Sequence, residues 1–87
     1  MTALYSVVIK RSAEKEFKAI PSSDLKRVVD RIRSLAQQPR PSGCEKLSGE
    51  SERYCIRQGD YRIVYSIDDA VRLVEVVKIG HRREVYR

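Results

Sequence analysis

The sequence predicts an α+β domain in the order β-α-α-β-β-β. Two N-terminal helices cover one face of a mainly antiparallel four-stranded sheet, leaving an open, basic opposite face. Three observations carry this. Between Arg53 and Ile79, three β-branched and aromatic runs are separated by short polar turns at Gly59-Asp60 and Asp68-Asp69, the pattern of an antiparallel meander. Leu25, Val28, Val29, Ile32, Leu35 and Ala36 recur at helical spacing, which marks an amphipathic helix. A chain of 87 residues makes one small domain, 1–87.

The first strand is expected over Leu4 to Ile9, ending at Lys10 and Arg11. Ser12 is the expected N-cap of a short helix over Ala13 to Ala19. Ala13, Phe17 and Ile20 form its buried stripe, and Pro21 interrupts the pattern. Ser22, Ser23 and Asp24 offer a second N-cap for a helix that runs to about Gln37. Its outer face carries Lys26, Arg27, Asp30, Arg31 and Arg33. Pro39 and Pro41 bracket Arg40 in a loop. Cys44 to Gly49 reads as a short connector or edge strand, with Glu50 and Ser51 leading into the meander.

Two-residue turns set the expected registers. Ile56 then meets Ile63, Tyr54 meets Tyr65, and Arg57 meets Arg62. Across the second turn, Ile63 meets Val74, Tyr61 meets Val76, and Arg62 meets Glu75. Side chains alternate with period two, so Tyr54, Ile56, Tyr61, Ile63, Tyr65, Val74 and Val76 share the core face. The opposite face gathers Arg57, Arg62 and Glu75. Two arginines directly across a strand pair repel. They are either bridged by Glu75 in a solvated salt cluster or form an anion site.

Hydrophobic residues make up 41% of the chain and the formal net charge is +6. That composition excludes a disordered chain and favours a polyanionic partner, nucleic acid or acidic protein. No apolar run approaches the roughly 18–20 residues of a membrane span, and the start lacks a signal-peptide core. A cytoplasmic protein with no membrane association is expected. Cys44 and Cys55 are the only cysteines and there is one histidine. They make no metal-ligand spacing, so neither metal nor cofactor is expected.

Four motifs in this order resemble the RelE/ParE superfamily of bacterial toxins, on the RelE side. They are Lys46-Leu47-x-Gly49, Tyr54-x-Ile56-Arg57, Gly59-Asp60-Tyr61-Arg62-Ile63-Val64-Tyr65 and Gly80-His81-Arg82-Arg83-Glu84-Val85-Tyr86. The resemblance covers nearly the whole chain. It implies a small cytosolic endoribonuclease that cuts messenger RNA in the ribosomal decoding site. It also implies a cognate antitoxin, in a toxin–antitoxin complex expected to be heterotetrameric. The positions that match the family's active site are Arg57, Arg62, Arg82 and Tyr86, with His81 where a basic residue is also seen. Cys55 stands where the best-known pattern has a lysine. ParE-type relatives share the fold but poison DNA gyrase, which makes a non-catalytic gyrase inhibitor the alternative. A basic RNA- or protein-binding module with an inactive site is the third reading.

The chemistry agrees with these residue types. Metal-free RNA cleavage needs a deprotonated 2′-hydroxyl, a stabilised phosphorane and a protonated leaving oxygen. Arginine forks match phosphate oxygens bidentately but move protons poorly. Tyr86 is the candidate for proton work, with base stacking or a C-terminal anchor as its other readings. An imidazole suits general acid or base catalysis near neutral pH, which His81 offers unless it is a solvated tail residue. Lys46, Lys78, Arg83 and Arg87 are candidate RNA contacts. The basic tail leaves at Gly80, near the Gly59-Asp60 turn and the arginine pair, and either folds back over them or projects into solvent.

Overall fold

A computed structural model of the chain describes residues 4–47 and 52–81. Its elements are β1 (Ser6–Ile9), α1 (Arg11–Lys18), α2 (Ser22–Ser34), β2 (Glu45–Lys46), β3 (Arg53–Gln58), β4 (Tyr61–Asp68) and β5 (Leu73–His81). The sheet has five strands in the order β1-β5-β4-β3-β2. The expectation of four strands is corrected by β2, a two-residue edge strand inside the Cys44–Gly49 connector. The sheet is mixed, because β1 runs parallel to β5 while the other pairs are antiparallel.

Both helices start earlier than expected, and neither uses its serine as a cap. Lys10 and Pro21 occupy the cap positions without a side-chain cap bond. The Lys10 carbonyl accepts from the Ala13 and Glu14 amides, and the Pro21 carbonyl from those of Asp24 and Leu25. Pro21 fits there because its ring already sets φ near the required value, and its missing N–H is not needed ahead of a helix. It therefore starts α2 as well as stopping α1.

The helices pack on one face of the sheet. Ala13, Ile20, Val28, Ile32 and Leu35 close over Tyr54, Ile56, Ile63, Tyr65, Ile67, Val74, Val76 and Ile79. Tyr65 is fully buried, and its hydroxyl donates to the Pro39 carbonyl at 2.7 Å. Burial holds that phenol above its usual pKa.

The β3–β4 register matches the expectation at every pair, with Tyr54 on Tyr65, Ile56 on Ile63 and Arg57 on Arg62. Gly59 takes φ +61 in the turn, a left-handed conformation that favours glycine. The β4–β5 register does not match. The turn spans four residues, not two, because the Asp68 side chain accepts from the Ala70 and Val71 amides at 3.0 and 3.4 Å. Arg72 closes it at φ 53. Ile67 now meets Val74 and Tyr65 meets Val76. A bulge follows, after which Val64 meets Lys78, Ile63 meets Ile79, Arg62 meets Gly80 and Tyr61 meets His81. Glu75 is paired with Ser66 instead of Arg62, so it is not the bridge between the two arginines.

A polar network ties the far end of the sheet together. Arg40 donates to both Asp69 oxygens at 3.2 and 2.8 Å and to the Tyr54 hydroxyl at 3.1 Å. Its guanidinium also lies 5.1 Å from the Tyr54 ring centroid. Tyr5 donates to Asp69 at 2.6 Å, and Tyr54 and Lys46 donate to Glu52 at 3.0 and 3.2 Å. The loop after α2, the start of β1, the entry to β3 and the β4–β5 turn thus share one cluster. Hydrogen bonds from Arg40 and Tyr5 lower the Asp69 carboxyl from 3.8 to about 2. A depressed acid stabilises the fold above its unfolded value and loses that contribution as pH falls through the folded value. Asp69→Asn is therefore expected to lower the melting temperature at neutral pH. The difference from the parent should shrink between pH 3.8 and about 2. Circular dichroism melts across that window measure it, and parallel curves would show that the ion pair contributes nothing.

Candidate functional site

The face away from the helices is organised in cross-strand rows. Nearest the Gly59 turn, Arg57, Arg62 and Gly80 form one row. The next holds Glu45, Cys55, Val64 and Lys78, and the third Arg53, Ser66, Glu75 and Val8. The centre of this face is apolar, with Cys55 2% and Val64 6% exposed. Its positive charge gathers toward the Gly59 end, where Arg57 is exposed and Arg62 half-buried.

The structure brings together three of the expected site residues. Arg57 and Arg62 are direct cross-strand partners, and Lys78 stands on the same face one row away. Gly80 has no side chain, so the arginine row is bounded on the β5 side by backbone. Cys55 lies on this face too, but its buried thiol supplies no surface charge where the resemblance expects a lysine.

Two candidates are placed elsewhere. His81 follows Gly80 and so turns to the helix side, where its ring meets Tyr61 edge-on at 6.0 Å and 76°. It lines a cleft of about 300 Å³ with Glu16, Ile20 and Tyr61. Lys46 pairs with Tyr54 in the register and binds Glu52 in the network at the other end of the sheet. Neither shares the arginine row. Gly49 of the first motif lies outside the described residues, as do Arg82, Arg83, Tyr86 and Arg87.

Gly80 is the site residue that sequence reasoning missed as a partner of Arg62. The signal was present. Val74, Val76 and Ile79 are all apolar, and a regular strand cannot put the third on the same face as the first two. One bulge between them restores the face and moves Gly80 opposite Arg62.

Like charges directly across a strand pair destabilise it by roughly 0.2–1 kcal/mol. Arg57→Glu is expected to recover about that much stability in urea denaturation. Reduced stability instead would show that Arg57 supports the fold.

Residues 7–86 match the family model described as the ParE toxin of the type II toxin–antitoxin system parDE. The chain is 30% identical to the toxin RelE of Mycobacterium tuberculosis over 84 residues, 95% of this chain and 87% of that one. It is 29% identical to the putative toxin RelE1 of Methanocaldococcus jannaschii over 86 residues, 95% of this chain and 96% of that one. Its fold superposes on the archaeal RelE–RelB complex from Pyrococcus horikoshii with a TM-score of 0.82 at 26% identity, covering 93% of this chain and 98% of that one.

Proposed function

The chain belongs to the ParE toxin family of type II toxin–antitoxin systems, within the RelE/ParE superfamily, and from that premise we propose that it is a metal-independent endoribonuclease. Its substrate is messenger RNA, cut in the ribosomal A site, and a cognate antitoxin neutralises it in a heterotetrameric complex in the cytoplasm. The observation that carries this reading is the Arg57–Arg62 row bounded by Gly80.

The scissile phosphate lies over that row. The 2′-hydroxyl attacks the adjacent phosphorus, the P–O5′ bond breaks, and charge grows on the non-bridging oxygens. Arg57 and Arg62 bind that charge through their planar forks. Their mutual repulsion in the free protein is relieved most by the most negative species, which is the phosphorane. The pair therefore favours the transition state over the ground state. Guanidinium groups are poor proton carriers, so the proton transfers fall to other residues. Tyr86 of the tail takes the proton transfers, and Arg82 places further positive charge opposite the phosphorane. His81 packs against Tyr61 on the other side of the sheet and is dropped from the proton-transfer role. Lys78, Arg83 and Arg87 hold flanking phosphates. Lys46, held by Glu52 at the far end, is dropped from the set.

The other reading, which the resemblance to ParE-type relatives implies, is a gyrase inhibitor without nuclease activity. Three measurements separate them. Arg62→Ala is expected to lower cleavage by about 10²–10³ without lowering the melting temperature. Tyr86→Phe keeps the ring, so it slows cleavage strongly if the hydroxyl moves a proton and mildly if the ring only stacks. Products should carry 2′,3′-cyclic phosphate and 5′-hydroxyl ends. No cleavage with or without ribosomes, together with inhibition of purified gyrase, would establish the other reading.

Expression of the chain alone is expected to arrest growth, and co-expression of an acidic antitoxin to restore it. The +6 charge motivates a partner of that sign. Normal growth with abundant folded protein would count against any toxin activity.

A further inference from the structure

The outer face of α2 borders two adjoining grooves. The first, about 300 Å³, is lined by Arg27, Asp30, Arg31, Ser34 and Gln58. The second, about 550 Å³, shares Arg31 and Ser34 and continues past Gln37 and Gln38. Gln58 follows Arg57 in β3 and faces the helix side, so the track begins across the β3 edge from the arginine row and leads away along the helix. It is accessible because β2 pairs only with Tyr54 and Cys55, leaving the Gln58 end of β3 without a flanking strand.

We infer that this track binds the single-stranded RNA flanking the scissile phosphate, with Arg27 and Arg31 on successive phosphates and the glutamine amides on bases. The inference deepens the nuclease reading and rests on it. Arg27 and Arg31 lie one helical turn apart, about 6 Å along the axis, a span comparable to one nucleotide step. Among the described residues, neither guanidinium has an ion-pair partner or a side-chain hydrogen bond. By contrast Arg40 and Lys46 are both committed to carboxylates. Gln37, Gln38 and Gln58 each offer a donor and an acceptor, which suits base edges. Asp30 repels phosphate, but its carboxylate accepts from an exocyclic amino group.

An acidic protein segment fits less well. Protein partners anchor on apolar or aromatic pockets, and apart from Pro41 this lining is polar. An apolar groove lies elsewhere, between β1 and the helices at Val7, Ile9, Phe17 and Ile32.

The test measures binding by fluorescence anisotropy with 2′-O-methyl RNA, which has no free 2′-hydroxyl to react. The full-length protein is compared with Arg27→Gln/Arg31→Gln and with Lys15→Gln/Lys18→Gln, which removes the same charge from exposed positions of α1. Oligonucleotides of about 4 and about 16 nucleotides bracket the range of single-strand site sizes. The arginine double variant is expected to weaken binding of the long oligonucleotide at least tenfold and of the short one little. The slope of log K against log salt should fall by about 1.4, the amount for two lost single-strand phosphate contacts. The lysine variant should change neither in this way. Equal losses in both variants would reduce the track to net charge and overturn the inference. So would unchanged RNA binding with weakened antitoxin binding, which would make the grooves a protein interface. Because the probe cannot be cleaved, the expected losses in a protein that cuts no RNA would keep the track and remove the nuclease reading.

Discussion

The bulge between Val76 and Lys78 is the constraint on which this site depends. β5 must bury Val74, Val76 and Ile79 against the helices, and regular alternation cannot do so. One extra residue restores the core face. It also decides what stands opposite β4 beyond it: Lys78 beside Val64, Gly80 beside Arg62, His81 beside Tyr61. Without that shift a side chain would crowd the arginine row and His81 would share its face. The packing of the core thus sets the composition of the opposite surface.

The two ends of the sheet have different chemistry. At the Arg40 end, charges are matched: one guanidinium serves Asp69 and Tyr54, and Glu52 is shared by Tyr54 and Lys46. Hydrogen bonds from Tyr54 and Lys46 hold the Glu52 carboxyl below its usual pKa. At the Gly59 end, like charges face one another. Arg57 and Arg62 are cross-strand partners there, and the proposed function uses that juxtaposition to hold an anion.

Much of this was legible in the residues. The Gly59-Asp60 turn and the alternation of Tyr54, Ile56, Ile63 and Tyr65 were enough for the β3–β4 register, including the Arg57–Arg62 pair. The stripe from Leu25 to Leu35 located α2. The β4–β5 register was not readable from turn propensity, because Asp68 and Asp69 look alike in sequence but act differently. Asp68 caps the turn amides, whereas Asp69 leaves the turn to bind Arg40. Arg40 itself read as a loop residue between two prolines, since its partners lie as far away as position 69 and nothing local signals them. Lys46 looked like an RNA contact for the same reason, its true neighbour Glu52 being reached only when β2 pairs with β3.

The flanking strands are short where the central ones are long. β1 covers β5 only as far as Val76, and β2 covers β3 only at Tyr54 and Cys55. The arginine row is therefore carried on a three-stranded ribbon that overhangs the rest of the sheet. Beyond β1, the Ile79 amide is capped by the Glu16 carboxylate at 3.3 Å. Such an overhang opens locally at lower free energy than the core, because fewer hydrogen-bonded neighbours must part together. The Gln58 amide, at the hairpin end of β3, is expected to exchange with solvent before those of Ile63 or Tyr65. The ribbon that carries Arg57 and Arg62 can adjust its twist without unfolding the domain that holds it.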